Sequence, residues 1–259
     1  MNYKMIFLDV DGTLYSHVTK SVPKSTIKAL KEAKNKGIKI CIASGRSKIV
    51  TAFTGLLDIL DFDYFVTTNG NLVIDKHDNV IYSSPMSKEG IDEVIGLVNK
   101  YGLNMTFMTL NDFYLLKEKD ERAHLGFDPL SIPLPEVKEY KEENIYQINL
   151  FCEDEYLPYF EKTKEKLAYS RLAHYGYDIY TLNHSKAVGI EKLINYLGIN
   201  KDEIIAFGDG HNDAEMLKFA GLGIAMGNAI EKVKKASDYI TSDIDDNGIY
   251  NALKHFNII

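Results

Sequence analysis

The chain has 259 residues, 45% of them hydrophobic and 26% charged, with a formal charge of −7. That length allows one large domain or a core domain carrying an insert. The acidic balance argues against broad nucleic-acid binding and against docking on anionic membrane surfaces.

Five residues, Lys4-Met5-Ile6-Phe7-Leu8, run almost wholly apolar into Asp9-Val10-Asp11-Gly12-Thr13. A run of this kind predicts a strand buried on both faces, as in a parallel sheet. Two carboxylates at the mouth of a buried strand are costly unless something binds them. In an open α/β sheet, ligands gather at the carboxyl ends of strands.

After a polar connection, Pro23 opens a helical stretch with Ile27, Leu30 and Ala33 on one face, and Gly37 ends it. A second strand, Ile38–Ala43, stops at Ser44-Gly45-Arg46, and Ser47 to Leu60 is predicted as one helix. A third strand, Tyr64–Thr67, ends in Thr68-Asn69-Gly70-Asn71. This strand–helix alternation predicts a doubly wound, mostly parallel, Rossmann-like α/β sheet whose strand ends share one edge.

The rhythm changes after Asn71. A hairpin is expected around His77-Asp78-Asn79, then an amphipathic helix over residues 87–101 and short strands at Met105–Thr109 and Phe113–Lys117. Residues 121–143 carry no clear pattern. A strand at Ile145–Cys152, a helix at Tyr156–Ala168 and a hairpin of Arg171–Tyr175 with Asp178–Leu182 complete an inserted α+β unit over residues 83–181. The core would then comprise residues 1–82 and 182–259.

The doubly wound pattern resumes at Ser185, with a helix that Gly198 closes. A strand at Glu203–Phe207 ends in Gly208-Asp209-Gly210-His211-Asn212-Asp213, and Leu222–Met226 ends in Gly227-Asn228. Cys41 and Cys152 lie in apolar runs and are expected as buried thiols. The first strand begins within a few residues of Met1, so no signal peptide is expected, and no apolar run approaches the ~20 residues that span a bilayer. Two buried thiols suit a reducing, cytoplasmic home, and a monomer or weak homodimer is expected.

Three strand ends thus carry polar clusters, and Lys186 opens a helix between the second and third. The carboxylates suit a hard cation such as magnesium, held with the help of substrate phosphate. Lysine, serine and free N–H groups suit a phosphoryl group. Both together point to metal-assisted phosphoryl transfer. Lysine at a helix N-terminus opposes the helix dipole, which favours a functional role for it.

Asp9-Val10-Asp11-Gly12-Thr13, Ser44-Gly45, Lys186, and Gly208-Asp209 with Asn212-Asp213 resemble, in order, the four motifs of the haloacid dehalogenase-like superfamily. Met226-Gly227-Asn228-Ala229 and the acidic Asp243–Gly248 tail resemble its Cof-type phosphatase branch, which carries a large cap between the second and third motifs. The resemblance implies Asp9 as nucleophile and Asp11 as general acid and base. It implies Ser44, Gly45, Lys186 and Asn212 at the phosphate. Magnesium would sit between Asp9, the backbone carbonyl of Asp11, and Asp209, with Asp213 holding a metal-bound water or orienting Lys186.

Arg46 is expected to pair with core acids, His211 to lie at the rim, and Asn69 and Asn228 to shape loops. The family usually places glycine directly after the lysine, whereas this chain reads Lys186-Ala187-Val188-Gly189. The cap implies closure over the substrate and choice of the leaving group, with the turn His174–Asp178 as the segment expected to reach the site. The implied substrate is a small phosphomonoester, preferentially a sugar phosphate. A phosphomutase on the same scaffold and a non-catalytic phosphometabolite binder remain as alternatives.

Overall fold

The computed structural model describes residues 3–172 and 175–259. The chain divides into two compact units, Met1–Tyr82 with Ser185–Ile259, and Ser83–His184. In chain order the strands are β1 Met5–Leu8, β2 Lys39–Ala43, β3 Tyr64–Thr67, β4 Leu72–Asp75, β5 Val80–Ser83, β6 Asn104–Met108, β7 Phe113–Leu115, β8 Gln147–Phe151, β9 Leu167–Arg171, β10 Tyr177–Thr181, β11 Ile204–Gly208, β12 Leu222–Ala225 and β13 Tyr239–Ile240.

The first unit is built on an eight-stranded sheet in the order β13-β12-β11-β1-β2-β3-β4-β5. From β13 to β3 every pairing is parallel, and β4 turns back antiparallel to β3. β1 is central, with Phe7 opposite Ala206 of β11 and Cys41 of β2. All four of its residues are buried, as a strand covered on both faces requires. One face packs Met5, Phe7, Cys41 and Val66 against Ile190, Leu193 and Ile194 of the helix Lys186–Leu197. That packing fixes the helix whose first residue is Lys186.

Between β2 and β3 the single expected helix is two short ones, Lys48–Ala52 and Leu56–Ile59. Gly55, at φ 70°, breaks the run between them. Ser47 is the N-cap of the first, accepting from the Val50 N–H.

The second unit has a five-stranded sheet in the order β7-β6-β8-β10-β9, with each neighbouring pair antiparallel. One face buries Met105, Phe107, Ile148, Leu150 and Ile179 against Ile91, Val94 and Val98 of the helix Lys88–Lys100. The other face carries the hydrogen-bonded line Thr106–Asn149–Asp178.

The unpatterned stretch opens with a helix, Glu121–Phe127, which Asp120 caps through the Ala123 N–H. The expected helix over 156–168 is a 3₁₀ segment, Asp154–Glu165, with Pro158 inside it; proline removes a donor and disfavours a continuous α-helix. β9 therefore begins earlier than expected, at Leu167, and pairs from Tyr177↔Arg171 to Thr181↔Leu167. Of the turn expected at His174–Asp178, His174 lies outside the described residues. Cys41 and Cys152 are buried free thiols. Among the described residues, no helix is long and apolar enough to cross a membrane.

Candidate active site

The site grows from the ends of β1, β2, β3 and β11, which parallel pairing brings to one edge of the first unit's sheet. Asp9 follows β1 and is almost fully buried. The Lys186 ammonium, wholly buried, donates to Asp9 Oδ1 at 2.6 Å and to Asp213 Oδ1 at 2.6 Å. Asp213 Oδ2 in turn accepts from the backbone N–H groups of Asp209 and Gly210, at 2.9 and 2.8 Å. The β11 loop is thereby folded around one carboxylate, which then orients the lysine.

Asp209 stands across from Asp9. Thr13 Oγ1 donates to Asp209 Oδ1 at 2.7 Å, tying the β1 loop to the β11 loop. Asn228 Nδ2 donates to the Gly12 carbonyl at 2.8 Å and lies 3.4 Å from Asp209 Oδ2. Gly12 sits at φ +77°, and a Cβ there would lie 2.2 Å from Asp209 Oδ2. Only glycine meets both demands, the left-handed backbone and the close approach.

Asp9, Asp209 and Asp213 each present a carboxylate oxygen, all within 4.8 Å of one another. With all three carboxylates ionised, one ammonium would leave two negative charges uncompensated in a mostly buried cluster. Burial, then the charge of Asp213, pushes Asp9 up to about 7 against the pull of Lys186. Burial, then the charges of Asp9 and Asp213, pushes Asp209 up to about 8. Burial disfavours the charge on Lys186, but Asp213 and Asp9 hold it protonated, above the ordinary lysine range. An all-oxygen donor set with this charge fits a hard divalent cation.

Asp11 points elsewhere. Arg46 grips it with two parallel bonds, Nε to Oδ2 and Nη2 to Oδ1, both 2.7 Å. His17 Nε2 donates to Oδ1 at 2.7 Å. Burial alone would raise Asp11, yet Arg46 and His17 hold it well below the usual carboxylate range. Its carboxylate is thus outside the acidic cluster, and the expected pairing of Arg46 with a core acid is realised here.

Ser44 is buried at the end of β2, and its hydroxyl accepts from the Arg46 N–H at 3.1 Å. The helix that follows is capped by Ser47. Gly45, half-buried, links Ser44 to Arg46. Asn212 donates to Asn69 Oδ1 at 2.8 Å, so the β11 loop also reaches the β3 loop. That β3 loop is contorted, with Thr68 at φ 49° and Asn69 at φ 54°. His211 is exposed.

The helix carrying Lys186 reaches this loop at Gly189. A Cβ on Gly189 would lie 2.6 Å from Val66 Cγ1 and 2.8 Å from Gly70 Cα. The departure from the usual lysine–glycine order therefore still provides a small residue where the helix meets the loop. His17, the Thr13–Asp209 bond and the Gly189 contact carried no separate signal in the sequence. Each joins segments that only the folded chain brings together.

A doubly wound α/β unit that gathers acids, a buried lysine and a serine at one sheet edge suits a metal ion together with a phosphoryl group. The family described as haloacid dehalogenase-like hydrolase matches residues 6–253, and the chain belongs to it. It is a phosphoric monoester hydrolase of that superfamily, with a large inserted unit of the Cof type. YkrA of Bacillus subtilis (strain 168) is 32% identical over 268 residues, spanning 100% of both chains. The 5-amino-6-(5-phospho-D-ribitylamino)uracil phosphatase YcsE of the same organism is 27% identical over 261 residues, covering 99% of this chain and 96% of that one. The solved structure of the sugar phosphatase BT4131 is 32% identical with a TM-score of 0.87, covering 99% of this chain and 100% of that one.

Proposed function

We propose that the protein is a magnesium-dependent phosphatase acting on a small phosphomonoester, preferentially a sugar or polyol phosphate. The observation that carries this reading is the pairing of an acidic trio with one buried ammonium on Asp9. Asp9, Asp209, Asp213 and the backbone carbonyl of Asp11 would hold magnesium. When bound, the ion supplies charge neutralisation that lets a carboxylate approach a phosphate dianion.

In this reading an Asp9 oxygen attacks phosphorus, and the bond from phosphorus to the ester oxygen breaks. Asp11 gives the departing alkoxide its proton. Water then attacks the aspartyl-phosphate, Asp11 takes the water's proton, and the Asp9–phosphorus bond breaks to release phosphate. Arg46 keeps Asp11 ionised, the form the second step needs; an arriving phosphate dianion opposes that ionisation and favours the proton the first step needs. Lys186, Ser44, the Gly45 N–H and Asn212 would hold the transferring oxygens.

The substrate class rests on relatives. BT4131 is named for sugar phosphates and YcsE for a phosphorylated ribityl chain. Both descriptions share a phosphate on a polyhydroxyl carbon chain. A screen of hexose, pentose and polyol phosphates against nucleotides, with magnesium, tests the reading. Release of inorganic phosphate from the sugar and polyol esters is expected. An isomeric sugar phosphate as product would establish a mutase, and tight binding with no release would establish a binder.

The metal assignment has a pH signature. Asp9 and Asp209 ionise from an ordinary value of 3.8 when unfolded, and near 7 and 8 when folded without metal. Raised carboxylates contribute stability that is present below about pH 4 and lost as pH rises through those folded values. Between about pH 5.5 and about pH 8.5 the Tm in chelator is therefore expected to fall by roughly 10 °C. The increase in Tm on adding magnesium should grow over the same interval, since binding then displaces fewer protons. A magnesium effect that shrinks with rising pH would contradict the assignment.

A further inference from the structure

The segment after Asp11 folds into a small hairpin. Ser16 and Ser21 exchange backbone bonds at 3.0 and 3.3 Å, and the Ser16 hydroxyl is anchored on Asp245 at 3.0 Å. Val18 stands at the tip, 86% exposed, while His17 turns inward. The Tyr15 ring meets the His17 ring edge-on at 5.3 Å. His17 Nδ1 is buried without a hydrogen-bond partner, so the orientation of the imidazole rests on Tyr15 and on its bond to Asp11.

A carboxylate has about four lone-pair positions. On Asp11, Arg46 Nη2 and His17 Nε2 take both on Oδ1, while Arg46 Nε takes one on Oδ2. Arg46 alone holds the carboxylate by one edge, and the pair can still tilt about that edge. The bond from His17 arrives from a different segment and closes that freedom. Among the described residues, the lone pair left over is on Oδ2.

We propose that His17 is a positioning residue for Asp11, fixing its carboxylate so that Oδ2 is the oxygen presented to the leaving group. The proposal rests on the phosphatase reading above. His17 touches neither substrate nor metal in this assignment and acts only through Asp11. The leaving group reports on it: an alkoxide needs a well-placed proton donor to depart, whereas p-nitrophenolate departs without one.

The test measures kcat and KM of the full chain with magnesium on a hexose phosphate released by the native protein and on p-nitrophenyl phosphate. His17→Ala is expected to lower kcat on the hexose phosphate about 10–100-fold, leave KM within about 3-fold, and affect p-nitrophenyl phosphate far less. His17→Gln, whose amide N–H can reach the same carboxylate, should recover most of the loss. Val18→Ser, altering only the exposed tip, should match the native chain. Should His17→Ala fail to fold, His17→Leu is read by the same criteria. Unchanged hexose-phosphate turnover, or an equal loss on both esters that glutamine does not restore, overturns the positioning role. No phosphate release by the native chain from any ester overturns the phosphatase reading instead.

Discussion

Asp9→Asn is expected to fold like the native chain and to release no measurable phosphate. The amide keeps the volume and can still accept from Lys186, so the 2.6 Å contact survives in kind. What disappears is the anionic oxygen that attacks phosphorus. Removing the group that forms the covalent bond typically costs at least ~10⁴-fold in turnover, because the other groups of such a site act only through it. Stability should move the other way. Burial and the neighbouring charge of Asp213 disfavour ionised Asp9, so in chelator at about pH 8 the variant's Tm should equal or exceed that of the native chain. Phosphate release and thermal melting on one preparation check both halves. Turnover near the native level would remove Asp9 from its role.

Lys186→Met should damage both activity and fold. The ammonium is wholly buried and is the shared partner of Asp9 and Asp213. Its removal leaves two buried carboxylates without their cation, a loss of about 3–5 kcal/mol when both remain ionised. In a protein of this size that is a fall in Tm of roughly 10 °C in chelator. The fall should be smaller near pH 5, where the stranded carboxylates take up protons, and larger near pH 8. Turnover should fall by 10²-fold or more, since a preorganised charge facing the transferring group is lost. Melting curves at both pH values, with and without magnesium, separate the structural loss from the catalytic one. An unchanged Tm in chelator at pH 8 would mean that the lysine does not neutralise the acids.

The acids and the serine of this site could be read in advance for one reason. A parallel sheet places its strand ends along one edge, so Asp9, Ser44, Asp209 and Asp213 converge once the alternation of strands and helices is recognised. Lys186 could be read because a lysine is out of place at a helix start. His17 could not, since its contact with Asp11 depends on the Ser16–Ser21 hairpin folding back. Nor could the Thr13–Asp209 bond, which joins two loops far apart in sequence. Local errors have local reasons. Gly55 interrupts an otherwise helical run, Pro158 forces a 3₁₀ path, and the helix at Glu121–Phe127 is too short to show a period.

The central claim is that a phosphoryl group passes through Asp9. Rapid quenching of the protein during turnover, borohydride reduction of any acyl phosphate and peptide mapping by mass spectrometry test it directly. Homoserine, the reduced product, is expected at position 9, with none in Asp9→Asn. Full turnover with no label at Asp9, or with label on another carboxylate, would contradict it.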